Sequence, residues 1–297
     1  MVYEEIEKVD FWVKAWDQAN RAPTNRSQRQ ASTTLTERDG RALARWNRRA
    51  ESYARDSSGR TYLEMQKTVF EFLDFCGVEI EGADVLDLGC GPGNYTIALA
   101  QKAAHVWALD PAEGMLDILK DRAVVAGVKN ITYVPQAWED IDLKKETWIG
   151  KFDLVFASMT PGIHNQDTLD KLIAASRGYC YVSRFAGRRR NSLQEKLWPM
   201  LSQEPDPWSN PGMDIVYPLN LLYAMGYFPF LRFINSKWLY QEQVETTTEK
   251  LLNWLDGFLD VTEKMAANVR EFVVGEAVEG VVREEGQANM GLMVWRV

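Results

Sequence analysis

At 297 residues, 46% hydrophobic and 26% charged, the chain has the size and composition of one large enzyme domain with a lid, or of one and a half domains. Its formal net charge of -8 argues against a general nucleic-acid binder, which presents a basic face to phosphates. Cys76, Cys90 and Cys180 stand singly without C-x-x-C spacing, the start is acidic, and no run of about 18 apolar residues occurs, so a cytoplasmic, metal-independent protein without disulfides or membrane span is expected.

In chain order, residues 5–19 place Ile6, Val9, Trp12 or Val13, and Trp16 at helical spacing, which predicts an amphipathic accessory helix. Residues 20–36 are polar, with Arg21, Arg26 and Arg29 among Asn, Ser, Thr and Gln, and predict a mobile connection. Two helices are expected next. Residues 37–55 align Leu43, Trp46, Ala50 and Tyr53 on one face, and residues 62–76 align Met65, Val69, Phe72, Leu73 and Cys76. Both stripes need an apolar partner.

The run from Val85 to Thr96, V-L-D-L-G-C-G-P-G-N-Y-T, passes from a strand through a glycine-dense turn into a helix beginning near Asn94. Gly89, Gly91 and Gly93 permit backbone angles closed to other residues and let a ligand approach the main chain, while the helix start offers unpaired amides. A dinucleotide fingerprint reads G-x-G-x-x-G and cradles a pyrophosphate. Here the run is G-C-G-P-G with Asp87 in the strand before it. A buried carboxylate repels a pyrophosphate and suits an ammonium or sulfonium group. The next strand, Val106 to Asp110, ends on an acid 19 residues after Gly91, where a ribose is held by its two hydroxyls.

The D-L-G-C-G-P-G run resembles motif I of class I S-adenosylmethionine-dependent methyltransferases. The resemblance implies S-adenosyl-L-methionine as cofactor, held at Asp87, Gly89, Cys90, Gly91 and Gly93, with Asp110 on the ribose. Pro111-Ala-Glu-Gly-Met115 is similar to the segment in which an apolar side chain packs on the adenine. Trp46-Asn-Arg-Arg-Ala-Glu-Ser-Tyr53 is similar to a segment that covers the cofactor in many small-molecule methyltransferases, which adds Tyr53. One departure is specific. The family often carries an acid after strand three, and Val134-Pro-Gln-Ala-Trp-Glu-Asp puts Ala137 at that position. Glu139 or Asp140 could substitute through a shifted turn, or Trp138 could hold the adenine by packing and a backbone amide, the option preferred here.

The core alternates strands near 84–88, 106–110, 131–134, 152–157 and 179–184 with helices near 94–103, 113–126 and 166–176. That order predicts an α/β, doubly wound, mostly parallel sheet of Rossmann-like type, and the resemblance implies seven strands. Asp87, Asp110, Ala137, Ser158 and Arg184 end or follow strands and are expected in one crevice. An N-terminal helical cap over residues 1–60 precedes a core over 61–297, with insertions near 186–217 and 244–286. The first insertion holds a helix over 192–201 and a Pro-rich loop; the second holds helices over 244–259 and 261–274. A sixth strand is expected over 228–239, and an antiparallel last strand over 289–297.

Phe156-Ala-Ser-Met-Thr-Pro-Gly-Ile-His164, after strand four, should floor the acceptor site. It lacks the acidic or Asn-Pro-Pro-aromatic pattern associated with amino-methylation of nucleic-acid bases, so the acceptor is expected to be a small or medium organic molecule. His164 is the candidate general base, since His105 precedes strand two, away from the strand ends. Eleven tryptophans admit an aromatic cage for a cationic acceptor, whereas Arg184 and Arg188 to Arg190 suit an anionic one. A noncatalytic S-adenosylmethionine-binding protein and an RNA or protein methyltransferase stand as alternatives, with a homodimer left open.

Overall fold

The central strand forms because Val85, Leu86 and Leu88 are apolar toward both sheet faces, the pattern of a parallel strand covered by helices on each side. In the computed structural model, which describes residues 6–20, 43–48, 50–51, 53–54, 60–203 and 211–297, this is β1, Asp84–Leu88. The connection predicted over 20–36 lies, from 21 on, outside the described residues, as do 204–210 of the Pro-rich stretch.

Around β1 lie β2 (His105–Leu109), β3 (Ile131–Val134), β4 (Phe152–Ser158) and β5 (Ser176–Phe185), all parallel. Then come β6 (Arg190–Asn191), β7 (Phe230–Gln243) and β8 (Val281–Arg296). The order is β3-β2-β1-β4-β5-β8-β6, with β7 pairing β8. After β1 the chain steps outward through β2 and β3, then crosses back to β4 on the other side. The carboxyl ends of β1 and β4 therefore border the crevice where such sheets bind ligands.

The sheet has eight strands rather than the seven expected, the additional one being the two-residue β6. The last two long strands also exceed their expected bounds. β7 and β8 pair continuously from Phe230↔Val294 to Gln243↔Val281, whereas β5 pairs only with Met290 to Arg296 of β8. The outer half of this ribbon runs past the sheet, so its Glu, Gln and Asn residues carry little apolar alternation to read.

On one sheet face Val85, Val106, Leu154, Phe156 and Tyr181 pack under α2 (Arg60–Phe75) and α3 (Thr96–Ala100). After β2, α4 (Glu113–Ala126) follows. The opposite face packs Leu86, Leu88, Val155 and Val182 against α5 (Gln166–Ala175) and against the N-terminal α1 (Val9–Asn20) through Trp16. Trp16 is wholly buried, so α1 belongs to the main core rather than lying apart from it. It packs on α7 (Val216–Ala224). A separate apolar core joins α6 (Ser192–Leu201), α8 (Val244–Leu255) and α9 (Glu263–Glu276). Among the described residues no helix is long and apolar enough to cross a membrane.

Candidate active site

Strand alternation decides where Asp87 points: it shares the face of Val85 and so lies beneath α3, 2% exposed. The Thr96 hydroxyl donates to its Oδ2 at 2.6 Å. Burial pushes the carboxyl up to about 7, the nearby Asp110 charge adds to the rise, and the Thr96 bond opposes it. Asp110, just beyond β2, accepts Gly91 N on Oδ2 and Ala112 N on Oδ1, each at 2.9 Å. Burial raises it too, against those two amides. The pair thus forms a concentration of poorly solvated negative charge at the turn, and each Asp110 oxygen keeps acceptor capacity for a hydroxyl.

The three glycines of the turn do different work. A Cβ on Gly89 would strike the Thr160 side chain and one on Gly93 would strike Leu119, so both positions are consumed by packing. Gly91 has φ +53°, and a Cβ there would meet only the Tyr53 ring, at 4.0 Å. Gly91 is therefore the open part of the cradle. Gly89 N and Cys90 N both donate to the Leu109 carbonyl, at 2.7 and 3.1 Å, which ties the turn to β2.

Several expectations are corrected here. The helix after the turn begins at Thr96, not Asn94, and has five residues, so carboxylates and open backbone dominate the cradle instead of helix amides. Cys90 is buried among Ala108, Leu116 and Leu119, where burial raises its pKa, and its thiol donates to the Gly91 carbonyl at 3.6 Å, bracing the turn from within. Trp138 is 1% exposed: the short 3-10 turn Trp138–Asp140 swings its indole into the core, where Nε1 donates to the Thr168 carbonyl at 3.0 Å. Its ring is unavailable to an adenine. Ala137 is half-buried at the entrance to that turn, and Glu139 lies 3.4 Å from His164 Nδ1.

Pro111 is half-buried after Asp110, while Met115 is buried against Ala112 and Ala50 beside Trp46, placing the helical residues near 43–54 along this edge of the cradle. Ser158, at the end of β4, lies 3.0 Å from the Ser183 hydroxyl on β5. His164 has Nδ1 at 3.3 Å from the Pro161 carbonyl, and its own carbonyl accepts from Asn20 of α1 at 2.6 Å. Its partners belong to the α1 and α5 side, whereas Asp87, Tyr95 and Thr96 gather on the α2 and α3 side.

Arg184 is not an anion receptor. It is 2% exposed and donates to the carbonyls of Ile163, Gly212 and Met213, with its guanidinium 5.5 Å from the Trp16 ring centroid. Burial lowers its pKa to about 10. Arg190 pairs with Glu195 at 3.1 Å, and Arg189 lies over the Phe185 ring at 3.9 Å. Arg188 and Arg190 line a cavity of about 530 Å³ with Glu195, Trp198 and Pro199, none of them from the glycine turn. Trp16, Trp138 and Trp295 fill the core and form no cage.

Sequence reasoning missed Thr96, Thr160, Tyr62, Tyr95 and Ser183. Tyr95 and Thr96 stood inside the motif itself, but the other three are brought in by tertiary packing.

Residues 85–179 match a family model described as a methyltransferase domain. An uncharacterized protein of Haemophilus influenzae is 26% identical over 258 residues, spanning 85% of this chain and 89% of that one. The 23S rRNA (uracil(1939)-C(5))-methyltransferase RlmD of Klebsiella pneumoniae is 33% identical over 86 residues, 29% of this chain and 18% of RlmD. Among solved structures, magnesium protoporphyrin IX methyltransferase ChlM of Synechocystis PCC 6803, with bound SAH, is similar with a TM-score of 0.50 at 19% identity, over 67% of this chain and 93% of that one. That last likeness is one of fold.

Proposed function

From the match of residues 85–179 to a methyltransferase domain, we propose that the chain is a class I S-adenosylmethionine-dependent enzyme that methylates a small or medium organic acceptor. The observation that carries the donor half of this reading is the pair of carboxylates, Asp87 buried and Asp110 half-buried, around the open backbone of Gly91. Such a pair suits a ligand with a positive centre and a vicinal diol. Asp110 would hold the ribose hydroxyls, Gly91 would allow close approach, and Asp87 would face the positive end. Bound there, S-adenosylmethionine supplies an electrophilic methyl group on a sulfonium sulfur.

The protein's own contribution is alignment of the acceptor and exclusion of water, with a base required only when the acceptor starts protonated. His164, tied to Glu139, Pro161 and Asn20 on the α1 and α5 side, stands apart from the Asp87 side and is assigned no base role. A small acceptor is favoured by Tyr53, which stands over Gly91, and by the acidic balance of -8. Cys76, Cys90 and Cys180 are free, buried thiols, compatible with a reducing cytoplasm.

Calorimetry with S-adenosylmethionine and with NAD, followed by assay of S-adenosylhomocysteine release over neutral, anionic and cationic acceptors, tests this reading. The expected result is binding of the sulfonium compound, none of NAD, and turnover with at least one acceptor. Binding of NAD alone overturns the donor assignment, and donor binding without any release replaces the enzyme with a noncatalytic binder.

A further inference from the structure

A cluster of hydroxyls lies beside the cradle and has no part in holding the turn together. Register places Phe156 of β4 opposite Tyr181 of β5, and Ser158 opposite Ser183, so the pleat brings all four to one face of the sheet. The Phe156 and Tyr181 rings stack at 4.4 Å with 6° between their planes, and the Tyr95 ring lies 5.0 Å from Phe156. Above this aromatic floor the Tyr62 ring lies 6.0 Å from that of Tyr95, the Tyr95 hydroxyl is close enough to Ser158 and Tyr62 to feel them, and Ser158 reaches Ser183 at 3.0 Å. The Tyr181 hydroxyl is completely buried and has no hydrogen bond of acceptable geometry, although Ser158 and Ser183 are close enough to influence it. Burial of an unpaired hydroxyl is costly, and that cost is removed when a ligand supplies the partner.

This cluster adjoins the donor site. Asp87 is near enough to raise the phenols of Tyr62 and Tyr95, and both also feel Tyr53, the residue over Gly91. The charge around it is informative. Arg122 approaches Tyr62, but its guanidinium donates to the carbonyls of Ala54 and Pro92 and to Asn94 Oδ1. Arg184 is committed to carbonyls on the opposite face. Among the described residues neither Arg122 nor Arg184 is turned toward a carboxylate or phosphate placed there, which would meet Asp87. A cation would have to share Asp87 with the positively charged donor.

We propose that Tyr62, Tyr95, Tyr181, Ser158 and Ser183 form the acceptor site, and that it takes a neutral, ring-bearing molecule through a hydroxyl or carbonyl group. This rests on the methyltransferase reading above. The aromatic rings supply the walls, and the serine and tyrosine hydroxyls, each able to donate and accept, supply polar contacts without selecting for charge.

Three probes of equal size separate the possibilities: benzyl alcohol, benzoate and benzylammonium. Saturation-transfer NMR on the full chain saturated with S-adenosylhomocysteine measures each, for the wild type and for Tyr181→Phe and Ser183→Ala. Benzyl alcohol is expected to bind the wild type, at least tenfold more weakly to either variant, and in preference to both ions. Tyr181→Phe should melt no lower than the wild type without ligand, because it deletes an unpaired buried hydroxyl. A wild type that fails to bind S-adenosylhomocysteine at all removes the underlying donor reading. With that compound bound, the acceptor proposal is overturned if benzyl alcohol does not bind, if either ion binds as well, or if both variants bind it like the wild type.

Discussion

Asp87 is held in a way that costs stability, and the proposed donor site gives that cost a use. Its carboxyl is raised by burial from 3.8 to about 7, so below 3.8 it is protonated whether the chain is folded or not and carries no penalty. Between 3.8 and about 7 the unfolded chain releases the proton while the folded one keeps it, and stability is lost as pH rises. Above that range the full penalty remains, on the order of a few kcal/mol. Asp87→Asn is therefore expected to melt above the wild type at pH 8, with the gap narrowing toward pH 5, as thermal denaturation monitored by circular dichroism would read. In the proposed donor site the ionised form is the one that would attract a positive ligand. Wild-type affinity for S-adenosylmethionine should rise with pH up to about 7 and then level off. The Asn variant should lose tenfold or more in affinity and show no such rise. An unchanged affinity would remove Asp87 from the donor site.

At the scale of elements, the loop after β4 is fixed by parts far away in sequence. Arg184 from β5 links the Ile163 carbonyl to Gly212 and Met213, Trp16 Nε1 of α1 donates to the Gly212 carbonyl at 3.1 Å, and Asn20 of α1 reaches the His164 carbonyl. An N-terminal helix, a mid-chain segment and a strand end thus set the loop carrying Thr160 and His164. Arg184→Met would leave the Ile163 and Met213 carbonyls without this donor, at about 1–3 kcal/mol for each one left unpaired, while the Gly212 carbonyl keeps Trp16. A drop in the denaturation midpoint equivalent to roughly 3 kcal/mol or more is expected, with only partial recovery in Arg184→Lys, whose ammonium lacks the planar fork. Wild-type stability in the Met variant would show that the clamp is idle. β1 and β3 were legible in the chain because Val85-Leu86 and the Ile-Thr-Tyr-Val run are short strand-forming stretches, and α4 because it follows the acid ending β2 in the strand–helix alternation. The extent of β8 was not, because its outer half is stabilised by pairing with β7 rather than by a buried face.

For the whole molecule the decisive quantity is charge. The similarity to RlmD is confined to 86 residues, and a net charge of -8 disfavours the counterion release on which RNA affinity depends. Filter binding to structured RNA should therefore show no retention at about 50 mM salt, a condition under which nonspecific electrostatic binders are retained. Strong retention, weakening steeply with salt, would return the RNA alternative to first place. The α6, α8 and α9 unit touches the N-terminal helical residues through Arg48 and Asp256, 3.5 Å apart and both well exposed. A pair so exposed contributes little to stability, so this contact sets position more than energy.

The sequence by itself determined the likeness to a methyltransferase domain and the shape of the glycine turn, because D-L-G-C-G-P-G and the acid ending β2 are set by local geometry: a strand, a tight turn and a fixed interval to the next strand end. Gly91 and Asp110 meet at 2.9 Å for that reason. Only the tertiary structure decided which side chains the chemistry can use. Trp138 and Arg184 looked available at strand ends and are buried, since their exposure depends on packing from α5, α1 and residues 211–213. Tyr62, Tyr181 and Ser183 looked ordinary and are gathered around Tyr95 and Ser158, because the neighbours of a hydroxyl are chosen by strand register and helix docking, which no short stretch of sequence encodes.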